Sequence, residues 1–182
     1  MTKKMIIKES KLSGVFLRNS ENHFDGRGST NEWFDSISAP ANFKNIEINQ
    51  LITAKSKKNV IRGIHFSGIN NPQVKIVKCI DGVILDFVVD LRIESDTFGK
   101  FDRFVLDSKQ AETLLIPSGF GHGYQVLSKN AVVVYALQTN FDFEDEHVIN
   151  PFDSKLGIPW QKGKFTLSKR DSGGKNFDHY FK

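Results

Sequence analysis

The sequence predicts an all-β chain, a sandwich or barrel of short strands. Three observations carry that reading. Nine apolar or alternating runs of strand length recur between residues 14 and 139. Turn signals separate them: "SGINNP", "DG", "SDTFGK", "DSKQ", "PSGFG" and "SKN". Phenylalanine is over-used, 16 residues against 3 tyrosines and 2 tryptophans, which suits sheet interiors.

The runs follow one another without a long helical period. "GVFL" 14–17 opens the series, followed by "KNIEINQLITAK" 44–55, "VIRGIHF" 60–66 and "QVKIVKCI" 73–80. "GVILDFVVDL" 82–91, "FDRFVL" 101–106, "ETLLIP" 112–117, "GYQVL" 123–127 and "AVVVYALQT" 131–139 complete it. From Asn140 the chain is acidic ("FDFEDEH"), then basic and Gly-rich ("SKRDSGGKNF"). That tail is predicted to wrap the strands in short helical or irregular pieces. No repeat or low-complexity linker interrupts the 182 residues, so one domain over 1–182 is expected.

Charge and cysteine content narrow the function classes. The formal charge of +4 comes from dispersed lysines, too diffuse for a nucleic-acid stripe but favourable to an anionic ligand. Cys79 is the single cysteine, which excludes an intramolecular disulfide framework and a cysteine-based metal site. The start "MTKKMIIKESKLSGVF" has no long apolar core, and no run approaches membrane-spanning length. The expectation is a cytoplasmic protein with neither membrane nor nucleic-acid partner.

"KIVKCI-DG-VILDFV" reads as a hairpin closed by Asp-Gly. That register pairs Ile80 with Val83, Cys79 with Ile84, Val77 with Asp86 and Lys75 with Val88. Lys75, Val77, Cys79, Ile84, Asp86 and Val88 then share one face, with Lys75 and Asp86 as diagonal neighbours. The other face (Val83, Leu85, Phe87, Val89, Leu91) is wholly apolar and reads as core. An ammonium and a carboxylate among small apolar residues suit a polar-lined pocket better than a solvated surface.

"NVIRGIHF" raises a question of parity. His65 shares its strand face with Ile61 and Gly63, whereas Arg62 points the other way. Both reach one cavity only if the strand kinks, and Gly63 is where a bulge belongs. Tyr135 in "AVVVYALQ" is a phenol on a strand, and "IPSGFGHGY" sets His122 in a glycine-bounded turn with no packing reason.

Together "NVIRGIHF", "VKIVKCIDGVILDFVVDLR", "SDTFGKF", "LLIPSGFGHGYQVLS" and "DSKLGIPW" resemble the dTDP-4-dehydrorhamnose 3,5-epimerase family. The likeness runs from about "DGRGSTNEWF" to "LSKRD". It implies a cupin-like β-barrel (jelly roll), a homodimer, no cofactor and no metal. The implied substrate is a nucleotide sugar with a ketone at C4, whose C3 and C5 protons are both acidic. By resemblance His65 is the base, Tyr135 the acid on the opposite face, and Asp171 the partner of His65. Lys75 would stabilise the enolate at the C4 oxygen, with Asp86 holding that cluster. Arg62 would grip phosphate, and His122 would line the phosphate or sugar end. Arg27 and Glu32 would serve the nucleotide end, Arg27 from a neighbouring subunit. Gln50, Phe141 and Glu146 complete the implied substrate-binding set.

The chain also departs from the family pattern. Ser29 and Thr30 stand where aromatics are usual, Phe141 replaces a tyrosine, and Ala136 follows the acid tyrosine in place of lysine. A polar stretch after Gln50 is replaced by Leu51, Ile52, Thr53, Ala54, Lys55 and Ser56. A different nucleotide or sugar, or epimerisation at one carbon only, is compatible with these changes. Two rival readings are a catalytically silent sugar-nucleotide binder and a metal-dependent barrel enzyme. For the latter the expected second histidine near His65 is missing, its place taken by Phe66 and Ser67.

Overall fold

The computed structural model describes residues 6–68, 71–140, 142 and 144–181. Its first strands are β1 (Ile6–Glu9), β2 (Phe16–Asn19), β3 (His23–Asp25), β4 (Gly28–Thr30), β5 (Gln50–Lys57), β6 (Ile61–Ser67) and β7 (Lys75–Asp81). Then come β8 (Val83–Asp90), β9 (Phe101–Asp107), β10 (Glu112–Ile116), β11 (Phe120–Val126), β12 (Asn130–Leu137) and β13 (Glu146–Val148). Two one-turn helices, α1 (Lys169–Ser172) and α2 (Phe177–Tyr180), close the tail.

Strands β1-β2-β10-β7-β12-β5 form one antiparallel sheet, and β13-β6-β11-β8-β9 form a second. Alternation along each strand supplies the packing. Val77, Cys79, Leu114 and Val133 from the first sheet meet Ile84, Val88, Leu106 and Val126 from the second. The outer face of the second sheet (Phe66, Leu85, Phe87, Val89) lies under Ile149, Leu156, Ile158 and Phe177 of the tail. On the outer face of the first sheet, Ile76 and Leu115 lie under Phe43 of a single 3-10 turn, Ala41–Phe43. The expected wrapping by the C-terminal tail is therefore a burial requirement, since a two-sheet stack leaves each outer apolar face needing a cover.

The Asp-Gly hairpin is not formed. Strand β7 pairs with β10 and β12, while β8 pairs with β11 and β9, so the chain crosses from one sheet to the other at Asp81–Gly82. Gly82, at φ +80°, makes the sharp corner. Lys75 and Asp86 are not diagonal strand neighbours; they face each other from opposite sheets. The two-face partition survives because it depends on parity alone, whereas pairing depends on which strand edges other segments occupy. Two further differences concern boundaries. Residues 44–49 precede β5 as coil, and the tail contributes a strand, β13, against β6.

Candidate active site

Between the sheets lies a cavity of about 220 Å³. The second sheet lines it with Arg62, His65, His122, Tyr124 and Glu146, and the first with Ile52, Ala54, Lys75, Tyr135 and Leu137. Gln73 and Arg170 complete the wall.

Strand β6 delivers both Arg62 and His65 because it kinks. The β6–β11 register shifts between His122 and Tyr124, and Gly63 there adopts φ +121°. Any Cβ at Gly63 would lie 2.5 Å from Gly123 Cα and 2.7 Å from the His122 carbonyl oxygen, so only glycine fits. The bulge resets parity between the two side chains.

His65 is tied to the tail. Its Nε2 donates to Asp171 Oδ1 at 2.6 Å, an arrangement that leaves the lone pair of the neutral ring on Nδ1. Burial works against ionisation of Asp171, but hydrogen bonds from His65 and Ser168 together hold its carboxyl below the usual value. Ser168 caps α1 by accepting from the Asp171 N–H at 3.0 Å, which fixes the carboxylate in place.

A second pair sits deeper. His122 Nε2 lies 2.8 Å and 3.0 Å from the two Asp86 oxygens, and both side chains are buried. Burial pushes the Asp86 carboxyl up, with His122 and Lys75 opposing. The His122 ring meets Tyr135 edge to face, centroids 6.0 Å apart.

Lys75 projects from the facing sheet. Its Nζ is 3.8 Å from Glu146 Oε1, while Glu146 Oε2 accepts from Arg170 at 2.9 Å. Burial pulls the Lys75 ammonium down despite Glu146 and Asp86. Arg62 donates Nε–H to Ser56 at 3.0 Å, which orients its guanidinium at the cavity wall. Enclosure of the Tyr135 hydroxyl, with Tyr124 beside it, pushes that phenol well above the ordinary value.

Comparison with known proteins now decides the family. A family model described as dTDP-4-dehydrorhamnose 3,5-epimerase matches residues 9–179. The chain belongs to that family. A dTDP-4-dehydrorhamnose 3-epimerase from Streptomyces niveus is 33% identical over 161 residues, covering 88% of this chain and 78% of that protein. A 4-keto-6-deoxy sugar epimerase from the novobiocin cluster of Streptomyces spheroides superimposes with a TM-score of 0.93 at 30% identity, over 98% of this chain and 90% of its own. The dTDP-6-deoxy-D-glucose-3,5-epimerase of Legionella pneumophila, solved with dTDP-4-keto-L-rhamnose, gives 0.91 at 28% identity, over 97% and 95%. The two-sheet architecture is accordingly the cupin-like jelly roll that the sequence predicts.

Not every residue that the epimerase resemblance implies reaches the cavity. Arg27, expected to serve a neighbouring subunit rather than its own cavity, sits at the turn of the exposed β3–β4 hairpin beside Asp25. Glu32 is paired with buried Arg18, whose charge needs a partner. Gln50 begins edge strand β5 opposite Leu137 and is absent from the lining. Phe141 lies outside the described residues. His65, Tyr135, Asp171, Lys75, Asp86, Arg62, His122 and Glu146 do come together in or directly behind the wall.

Sequence reading missed Arg170 and Tyr124. Arg170 adjoins Asp171 in "LSKRD", and Tyr124 has the parity of His122, so both had a signal. Among the described residues no three or more His, Cys, Asp or Glu side chains gather as metal ligands, and no helix is long and apolar enough to cross a membrane.

Proposed function

We propose that this protein epimerises C3, C5 or both in a nucleotide-activated 4-keto-6-deoxy sugar, as a homodimer of single-domain chains in deoxysugar biosynthesis. The observation that carries the reading is that an imidazole and a phenol enter one cavity from opposite sheets, with an ammonium from a third strand. Inversion at a carbon next to a ketone needs that arrangement: a base on one ring face, an acid on the other, and a cation at the developing enolate.

His65 Nδ1 takes the proton from the carbon beside the C4 ketone. The C–H electron pair moves into the ring and the carbonyl oxygen becomes an enolate, stabilised by the Lys75 ammonium. Asp171 balances the imidazolium. Tyr135 then delivers its proton from the other face, and its high pKa keeps it protonated until that moment. Asp86 and His122 hold the deep wall beside Lys75 and Tyr135. Arg62 grips the diphosphate side, while Arg170 and Glu146 stand beside Lys75. Arg27 and exposed Phe24 on the β3–β4 hairpin reach the nucleotide of a partner subunit. Ile52 and Ala54 make the wall from the altered stretch apolar, which favours a sugar with fewer polar contacts there.

The test is solvent exchange. Incubation with dTDP-4-keto-6-deoxyglucose in D2O should wash deuterium into C3, C5 or both and yield the inverted product by NMR. His65→Ala should lower exchange about 10²–10⁴-fold. Tyr135→Phe should spare part of the exchange and abolish inversion; equal loss of both contradicts the division of roles. Binding without exchange in the wild type would mean a silent binder and end the epimerase reading.

A further inference from the structure

When Tyr135 gives its proton to carbon, a phenolate is left behind, and the surroundings decide where that charge can rest. Burial opposes it, and of the two nearby charged side chains Asp86 acts on Tyr135 more strongly than Arg62 does. A negative charge on Tyr135 is therefore disfavoured by its loss of water and by its neighbours together.

Tyr124 stands beside it in a different field. The residue is buried in the core between the sheets, on β11 directly across from Arg62 of β6 and Asp86 of β8. Its hydroxyl has the hydroxyls of Tyr135 on β12 and Ser56 on β5 as hydrogen-bonding neighbours. Ser56 in turn accepts the Arg62 Nε–H at 3.0 Å. A file of polar groups thus runs from the acid through Tyr124 and Ser56 to a guanidinium, with its centre out of reach of solvent. At Tyr124 the order of the two charges is reversed: Arg62 acts more strongly than Asp86, and Tyr135 and Ser56 also favour the ionised form. Burial nonetheless keeps both phenols protonated at neutral pH.

We propose that Tyr124 acts through Tyr135, as the second half of a phenol pair that moves the charge left by protonation of the sugar carbon toward Arg62. The inference rests on the functional reading above for Tyr135 as the acid. The Tyr135 O–H bond breaks as the new C–H bond forms on the sugar. The Tyr124 O–H bond then breaks as that of Tyr135 is remade, and the negative charge ends on the Tyr124 oxygen, facing Ser56 and Arg62. One proton leaves the pair for carbon, and the remaining proton sits on the oxygen that lies nearer Asp86 in influence. Tyr124 never touches the substrate; it determines how readily Tyr135 can part with its proton.

The test reads the two phenols directly. The chain has three tyrosines, so fluorotyrosine labelling gives one fluorine NMR signal each for Tyr124, Tyr135 and Tyr180, and ring fluorine brings phenol titration to lower pH. Tyr124→Phe and Tyr135→Phe keep the packed rings and assign the signals. Tyr124 should ionise before Tyr135. In Tyr124→Phe the Tyr135 step should move to lower pH, because the neighbouring anion is gone; in Tyr135→Phe the Tyr124 step should move higher. Earlier ionisation of Tyr135, or titrations that ignore each other's substitution, overturns the proposal. In the deuterium experiment Tyr124→Phe should slow inversion about 10–100-fold more than exchange, the size of a hydrogen bond to a charged group. In a Tyr135→Phe background it should slow exchange no further, which a merely structural role would do; equal loss of inversion and exchange also overturns the relay. Wild type that exchanges no deuterium ends the epimerase reading, and the order of the two ionisations then still upholds or overturns the pair.

Discussion

Lys75 shows how one residue can cost stability and still be kept. The residue is 6% exposed, and burial outweighs Glu146 and Asp86 in setting its proton affinity below the usual lysine value. Between that lowered pKa and about 10.4, the unfolded chain binds more protons than the folded one. Stability contributed by this group therefore rises with pH across the window, and at neutral pH the buried charge is a net burden. Lys75→Met should leave Glu146 paired with Arg170 and Asp86 paired with His122. Its melting temperature should match or exceed that of wild type at pH 7, and the difference should shrink at alkaline pH. Turnover should fall about 10²–10³-fold from loss of enolate stabilisation. A large drop in melting temperature would mean that Lys75 serves the fold.

At the scale of the element, the site depends on the kink in β6. An unbroken strand would send Arg62 and His65 to opposite sides; the bulge against β11 turns both toward the lumen. Strand β13 then locks the far end by pairing Val148 with His65 and Glu146 with Ser67. Gly63→Ala would drive a methyl into the Gly123 and His122 backbone at a φ that side chains rarely adopt. We expect destabilisation of about 2–4 kcal/mol in chemical denaturation and loss of exchange activity even in the folded fraction. Normal activity in a stably folded variant would show that the bulge is not what aims the pair.

Over the whole molecule, stability and catalysis share the C-terminal tail. The tail covers the outer face of the second sheet through Ile149, Leu156, Ile158 and Phe177, and it also carries Asp171 to His65. Phe177 is buried between Phe98 and Phe181, and its N–H donates to Asp153 at 2.7 Å. Phe177→Ala should cost about 3–5 kcal/mol, as large cavities in aromatic clusters do. Hydrogen exchange should show lost protection over residues 168–181, with a fall in turnover below the melting temperature as Asp171 loosens. Intact protection there would separate the cover from the catalytic dyad.

Period-two alternation, turn residues and an excess of phenylalanine were enough to read the β class, most strand positions and the two faces of β7 and β8. These are local properties: each side chain's direction follows from its neighbours along the chain. Resemblance then brought in His65, Tyr135, Asp171 and Lys75 as a set. The sequence could not reveal that Asp-Gly is a corner between sheets, since a turn signal bends the chain without choosing its partner. Nor could it show Glu32 paired with Arg18, or Arg170 and Tyr124 in the wall. Those outcomes depend on which distant strands win each hydrogen-bonding edge, and on where the tail must lie to cover apolar surface. Side-chain direction belongs to the sequence; the choice of neighbour is made only when the whole chain packs.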